Sequence, residues 1–183
     1  MGESEGRSPS DETRIAWVNP DDDAQRKVFA ALGALGIRYD IYTHPPVFTA
    51  EEAAEHWAGI DATRVKNLFL RNKKGDRHYL VILPIEKQAD LRQLVRVIGD
   101  DRLSFGSADR LQARLGLTPG SVSPFGLIND DAHSVRVIVD ADLRQTERLI
   151  FHPNDNRASL TISLEDFERF LASRGNVVRW LRV

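Results

Sequence analysis

The chain contains no cysteine and a single methionine. Without cysteine there can be no disulfide framework, thiolate metal site or cysteine nucleophile. No apolar run approaches the roughly 20 residues that a membrane-spanning helix needs, and residues 1–12 are polar and acidic, unlike a signal peptide. A length of 183 residues, 42% hydrophobic and 28% charged, is ordinary for a soluble globular domain. These features predict a cytoplasmic protein.

The familiar catalytic motifs are missing as well. The chain has no phosphate loop, dinucleotide fingerprint, zincin helix or nucleophile elbow. Its five histidines are scattered, with no pair at helical i,i+4 spacing, so we expect a site without metal or cofactor. A Ser-His-Asp triad stays open, because its members need to meet only in space.

Acidic charge is concentrated at the N-terminus. Residues 1–23 hold seven acidic and two basic side chains, which leaves 20 acidic against 23 basic in the rest of the chain. Residues 64–77 carry six basic side chains and one acid, a local patch suited to phosphates. Within it Arg71, Lys73 and Lys74 are candidate contacts to a phosphate-bearing ligand, and the alternative is a solvated hairpin tip.

Local signals predict a single α+β domain whose mixed, mostly antiparallel sheet is built from hairpins and surrounded by helices. Residues 1–18 are expected to form a loose acidic tail and residues 19–183 the folded domain. Strand-like runs at 67–71 and 77–83 flank a turn containing Gly75 and predict a hairpin. Caps and closing glycines predict further elements: helices at 19–36, 49–57, 90–99, 107–116 and 163–175, and strands at 37–42, 134–139 and 158–162.

Residues 118–129 form a loop of small residues with two prolines. Gly120 and Gly126 can adopt backbone angles closed to other residues, and proline fixes its own φ. The N–H groups of residues 121–123 have no obvious internal partner and could hold a carbonyl oxygen or an oxyanion. On glycine and proline content alone, a rigid surface turn is the simpler interpretation.

Four segments together resemble the YbaK/prolyl-tRNA-synthetase-associated editing family. They are KNLFL at residues 66–70, the G-x-x-x-P loop at 120–124, HPPVFT at 44–49 and FHPN at 151–154. The resemblance covers residues 24–175 and is strongest with free-standing members. It therefore implies hydrolysis of the ester bond in mischarged tRNA(Pro), with alanine as the expected amino acid. The reaction would need no metal or cofactor.

The resemblance also implies roles for particular residues. The backbone of Gly120, Ser121 and Val122 would stabilise the oxyanion, while Lys66, assisted by Asn67, would place a charge beside the terminal ribose or orient water. The substrate's own 2′-hydroxyl would contribute to the reaction. Expected substrate-binding residues are His152, Pro124, Ser123, Val47, Phe48, Thr49 and Asn154.

Each of these assignments has an alternative. Val47 and Phe48 are apolar and would by default be core, Thr49 is a helix cap, and His152 could simply hold a turn. The function also has rivals: removal of cysteine or another amino acid, a non-catalytic tRNA-binding module, or a metal-free esterase for small molecules. Whether tRNA(Pro) is selected by its acceptor stem or through prolyl-tRNA synthetase is left open.

Overall fold

The computed structural model describes residues 23–47 and 50–183. The predicted acidic tail and the predicted cap at Asn19 lie outside these ranges, as do Phe48 and Thr49.

Eight strands form one mixed sheet. The strands are β1 Tyr39–Thr43, β2 Thr63–Asn72, β3 His78–Pro84, β4 Leu103–Phe105, β5 Val135–Asp140, β6 Arg148–Phe151, β7 Ala158–Ser163 and β8 Val178–Leu181. Their order is β1-β7-β6-β2-β3-β5-β8, and β4 pairs with β2 beside this path. The pairs β1–β7, β6–β7, β2–β3 and β2–β4 are antiparallel, whereas β2–β6, β3–β5 and β5–β8 are parallel. The α+β prediction and the hairpin of β2 and β3 are confirmed.

Five α-helices accompany the sheet in the described ranges: α1 Asp23–Ala34, α2 Ala50–His56, α3 Leu91–Ile98, α4 Ala108–Leu115 and α5 Leu164–Arg174. The predicted caps Asp90, Ser107 and Ser163 each accept a backbone N–H in the first turn of their helix. Each of these helices is followed by a glycine with positive φ, as expected. None of these helices combines the length and the apolar character needed to cross a membrane.

Different helices cover the two faces of the sheet. Side chains of β3 alternate: Leu80 and Ile82 join a cluster with α1, α4 and α5, while Val81 and Leu83 join a second cluster with α3. Because β3 is buried on both faces, its sequence is almost continuously apolar.

The strand β6 and its pairing with β2 were not predicted, and this pairing positions the site. The parallel register sets Thr63 opposite Leu149 and Arg64 opposite Ile150. Counting two residues further along both strands in the same register leads to Lys66 and His152. Strands β4 and β8 were also missed, as were two 3₁₀ helices at Pro124–Asn129 and Ala141–Gln145.

Candidate active site

A cavity of about 220 Å³ opens beside the first half of β2. Six of the predicted site residues line it, although they come from four separate parts of the chain. These six are Val47, Lys66, Asn67, Gly120, Val122 and His152. The structure therefore brings together the charged, amide, imidazole and backbone groups that the sequence analysis singled out.

Four further residues complete the wall and were not predicted as site residues. They are Ala53 on α2, Trp57 just after it, Val65 on β2 and Phe151 at the end of β6. All four are nearly fully buried and apolar. The lining thus combines apolar side chains with a few polar groups, an arrangement common in small-molecule sites.

Lys66 carries the only permanent charge among the described residues that line the cavity. Its Nζ donates a hydrogen bond to the backbone oxygen of Ile85 at 3.0 Å. This bond uses one of the three ammonium donors, so two remain for a ligand. No carboxylate belongs to the described lining.

Asn67 connects β2 to the loop at residues 118–129. Its Nδ2 donates to the backbone oxygen of Val122 at 3.2 Å, which fixes the orientation of the amide. The other amide atom, Oδ1, is buried and has no partner among the described residues. A buried acceptor without a partner costs about 1–3 kcal/mol. The Val122 contact makes Asn67 a tether for the loop.

The loop begins with a tight turn. Ser121 donates its backbone N–H to the oxygen of Thr118 at 3.1 Å, and Gly120 has φ +89°. Proline followed by a glycine with positive φ is the pattern of a type II turn. The expectation that the Ser121 N–H is unpaired is therefore wrong. The N–H groups of Gly120 and Val122 have no partner in the described parts of the chain, and both residues line the cavity.

Ser123 and Pro124 do not line the cavity. The hydroxyl of Ser123 donates to the backbone oxygen of His152 at 2.7 Å and accepts the N–H of Phe125 at 3.2 Å. Pro124 is buried at the start of the 3₁₀ helix. Ser123 therefore joins the loop to the His152 segment, and substrate contact by Ser123 and Pro124 stays a prediction.

Gly126 is needed for space rather than for unusual backbone angles. It has no positive φ, but a Cβ built at this position would lie 2.6 Å from the side chain of Leu117 and 3.1 Å from that of Leu115. The absence of a side chain at Gly126 consequently lets the backbone of the 3₁₀ helix lie directly against side chains at the end of α4.

His152 presents one ring nitrogen to its own scaffold. Nδ1 lies 2.8 Å from the backbone oxygen of Ala158, and a carbonyl can only accept, so Nδ1 carries the hydrogen. Nε2 is then the nitrogen left with a lone pair in the neutral ring. Burial lowers the pKa of His152, and the nearby ring of His44 lowers it further. At neutral pH His152 is therefore an uncharged hydrogen-bond acceptor in the cavity wall.

Behind His152 lies a polar cluster that the sequence analysis missed, centred on Ser159 of β7. The Ser159 hydroxyl is fully buried. It accepts Trp57 Nε1–H at 2.8 Å and lies 2.9 Å from His44 Nε2. Because His44 Nδ1 donates to Pro45 O, its Nε2 accepts the hydroxyl proton of Ser159. The hydroxyl thus donates one hydrogen bond to His44 and accepts another from Trp57. The accepted bond fixes Trp57 in the cavity wall.

This cluster contains three imidazole rings. The rings of His44 and His56 stack at 5.0 Å, and those of His44 and His152 lie edge to face at 5.7 Å. No three His, Asp or Glu side chains in the described ranges are arranged to hold a metal ion. Burial lowers the pKa of His44, and His56 adds to this effect.

Asn154 lies outside the lining of the cavity, and its contact with substrate stays a prediction. It has φ +62°, and neither amide atom has a partner within the described ranges although both are buried. Val47 is held in place by backbone and side-chain hydrogen bonds with Asn156. The turn after β6 therefore positions the segment on which Val47 lies.

The predicted basic patch is divided between the two ends of β2. Lys66 belongs to the cavity, whereas Arg71 and Lys73 lie at the far end of the strand. Lys74 forms an ion pair with Asp76 at 3.4 Å. The tRNA contacts predicted for Arg71, Lys73 and Lys74 stay predictions.

Comparison with known proteins identifies relatives of this chain. Prolyl-tRNA editing protein ProX of Acetoanaerobium sticklandii is 43% identical over 163 residues, covering 87% of this chain and 97% of the relative. Prolyl-tRNA synthetase associated domain-containing protein 1 of Mus musculus is 33% identical over 149 residues, covering 79% and 88%.

Structural similarity supports the fold. A crystal structure of a candidate trans-editing enzyme for prolyl tRNA synthetase superimposes with a TM-score of 0.67 at 24% identity, covering 88% of this chain and 98% of the other. A family model described as the aminoacyl-tRNA editing domain matches residues 44–170, which include every residue lining the cavity. The chain belongs to the aminoacyl-tRNA editing domain family.

Proposed function

We propose that this protein hydrolyses the ester bond of mischarged tRNA(Pro) and that alanine is the amino acid it removes. The observation that carries the proposal is the convergence of Lys66, Asn67, the Gly120–Val122 turn and His152 on one small cavity with apolar walls. The similarity to ProX and to the prolyl-tRNA synthetase associated proteins supports tRNA(Pro) as the substrate.

The polar groups that line the cavity are those that ester hydrolysis requires. An aminoacyl ester is already activated, so the site must hold the carbonyl, stabilise the developing oxyanion and admit a water molecule. We assign the oxyanion to the N–H groups of Gly120 and Val122, each of which is worth about 3 kcal/mol in a preorganised site. The ammonium of Lys66 adds positive charge beside the terminal ribose.

His152 supplies an acceptor rather than a charge. Its lowered pKa keeps the ring neutral, and Nε2 can accept a hydrogen bond from the attacking water or from the terminal ribose hydroxyl. No carboxylate among the described lining residues offers an alternative base. The substrate's 2′-hydroxyl is therefore proposed to take part in proton transfer, together with His152.

The size of the cavity favours a small side chain. A volume of 220 Å³ lies below the roughly 300–1,000 Å³ of drug-sized pockets and suits one amino acid. Trp57 and Phe151 are buried, bulky parts of the wall, so we assign selection against the larger proline side chain to steric fit. A synthetase site made for proline cannot strongly exclude alanine, and a second, smaller site can correct that error.

Release of amino acid from tRNA(Pro) charged with alanine, cysteine or proline tests the proposal. We expect Ala-tRNA(Pro) to be hydrolysed and Pro-tRNA(Pro) to be spared. Faster release of cysteine than alanine would transfer the proposal to the cysteine substrate. Absence of hydrolysis with all three, together with retained tRNA binding, would contradict catalysis and favour a tRNA-binding module.

A further inference from the structure

A second depression, of about 270 Å³, lies at the opposite end of β2 from the cavity. It is lined by Arg71, Lys73, Arg102 and Ser104. The pairing of β2 with β4 sets Arg71 directly opposite Ser104, so these two side chains share one face of the sheet. Three cationic side chains and a hydroxyl thus come together on a surface that the cavity does not use.

The three cations lack carboxylate partners. Within the described ranges Arg71, Lys73 and Arg102 form no ion pair, and Arg71 donates only to the backbone oxygens of Asn72 and Lys73. Asp101 also lies at this site, and its carboxylate accepts the backbone N–H of Lys73 at 2.9 Å. The neighbouring Lys74 is different, because Asp76 already offsets its charge.

Positive potential extends from this depression towards α4. His78, opposite Arg71 on β3, has a pKa lowered by burial and further by the charges of Arg114, Arg110 and Arg71. Arg110 donates to the backbone oxygen of Gly75 at 2.9 Å and lies 3.3 Å from His78 Nε2. Arg110 and Arg114 of α4 thus add positive charge next to the hairpin.

We propose that Arg71, Lys73, Arg102 and Ser104 bind a backbone phosphate of the tRNA acceptor stem while its aminoacyl end occupies the cavity. Five residues of β2 separate Lys66 from Arg71, which at about 3.3 Å per residue is about 16 Å. At about 3.4 Å per phosphate along one strand, that distance spans about five nucleotides. Arginine and lysine with a hydroxyl are suited to phosphate oxygens.

This inference rests on the proposed function and replaces Lys74 in the sequence-based prediction with Arg102 and Ser104. A phosphate bound here would fix the distance between the acceptor stem and the scissile ester. The site would then favour an amino acid attached to tRNA over the same ester on a free nucleotide.

The test compares Arg71→Gln, Lys73→Gln and Arg102→Gln, singly and together, with Lys74→Gln as the matched control from the same hairpin. tRNA affinity is measured from 0.05 to 0.3 M salt. Loss of one phosphate contact lowers the slope of log affinity against log salt by about 0.7–0.9, and because the three cations share one phosphate, the triple variant should lose about 0.7–0.9 units. Lys74→Gln should leave the slope unchanged.

A second readout separates binding from catalysis. We expect the triple variant to lose about 5- to 10-fold in kcat/KM with Ala-tRNA(Pro), the loss expected for one phosphate contact at 0.1 M salt, and to hydrolyse the alanyl ester of adenosine at the wild-type rate. Lys73→Gln with Arg102→Gln, both at exposed positions, preserves the test should loss of Arg71 disturb the turn.

An unchanged salt slope in these variants, or an equal loss in Lys74→Gln, would overturn the phosphate site. If wild-type protein hydrolyses Ala-tRNA(Pro) in that experiment, the proposed function stands and only this inference fails. If wild-type protein hydrolyses neither substrate, the proposed function itself fails.

Discussion

Ser159 illustrates how one hydroxyl organises the cavity at the residue scale. It accepts from Trp57 and donates to His44, so its removal leaves a buried N–H and a buried ring nitrogen without partners. We expect Ser159→Ala to destabilise the fold by about 1–3 kcal/mol and to reduce discrimination between alanine and proline.

A double-mutant cycle with Trp57→Phe checks this assignment. Phenylalanine has no N–H to leave unpaired, so the two substitutions together should cost less than their sum by about 0.5–3 kcal/mol in denaturant unfolding. Strictly additive free energies, or unaltered discrimination in Ser159→Ala, would show that Ser159 does not hold Trp57 in the wall.

The turn at residues 118–121 is the element on which the proposed oxyanion site depends. Gly120 has φ +89°, a conformation that costs a residue with a Cβ about 1–3 kcal/mol. We expect Gly120→Ala to lose stability of this order and to lose at least tenfold in kcat, because the Gly120 and Val122 N–H groups would move. Gly36→Ala is the matched control, since Gly36 has φ +63° and open space around it, away from the cavity.

Equal stability losses with activity lost only in Gly120→Ala would assign the turn to catalysis. Activity lost equally in both variants would instead indicate a general effect of instability.

The elements that sequence could predict were those with local signals. Asp90, Ser107 and Ser163 are short polar caps followed by helical periodicity, and all three caps form in the structure. β6 has four residues and no flanking turn signal that stands out, and its parallel pairing with β2 joins residues 86 positions apart. Such pairing is set by tertiary packing, which local patterns do not record.

In the candidate site, too, the sequence indicated some residues and missed others. The resemblance to a known family indicated Lys66, Gly120 and His152, which line one cavity. Ser159 lies in a short, mostly buried strand in which Thr161 also carries a hydroxyl, so nothing in the sequence pointed to its ring partners His44 and Trp57. The partner of the Ser121 N–H became visible only with the turn geometry.

For the whole molecule, the histidines predict how stability depends on pH. Burial lowers the pKa values of His44, His78 and His152 below the ordinary 6.5. As pH falls through 6.5 the unfolded chain takes up protons that the native protein does not, so the free energy of unfolding decreases. The decrease stops only below the lowered pKa values, where the native histidines also become protonated.

Chemical denaturation between pH 8 and pH 5, with NMR titration of the histidine rings, measures this dependence. We expect a plateau above about pH 7 and a fall below it, accompanied by loss of hydrolysis as His152 becomes charged. Constant stability from pH 7.5 to 5.5, or a His152 pKa above 6.5, would contradict the assignment of a neutral ring.

The most direct test of the account is the single-turnover rate of Ala-tRNA(Pro) hydrolysis by Lys66→Ala. Lys27→Ala, which removes an exposed lysine from α1, is the control for the loss of one charge. We expect Lys66→Ala to be at least about 100-fold slower than wild type, the size typical for loss of one transition-state contact, and Lys27→Ala to be unchanged. A Lys66→Ala variant that folds and hydrolyses Ala-tRNA(Pro) at the wild-type rate would contradict the account.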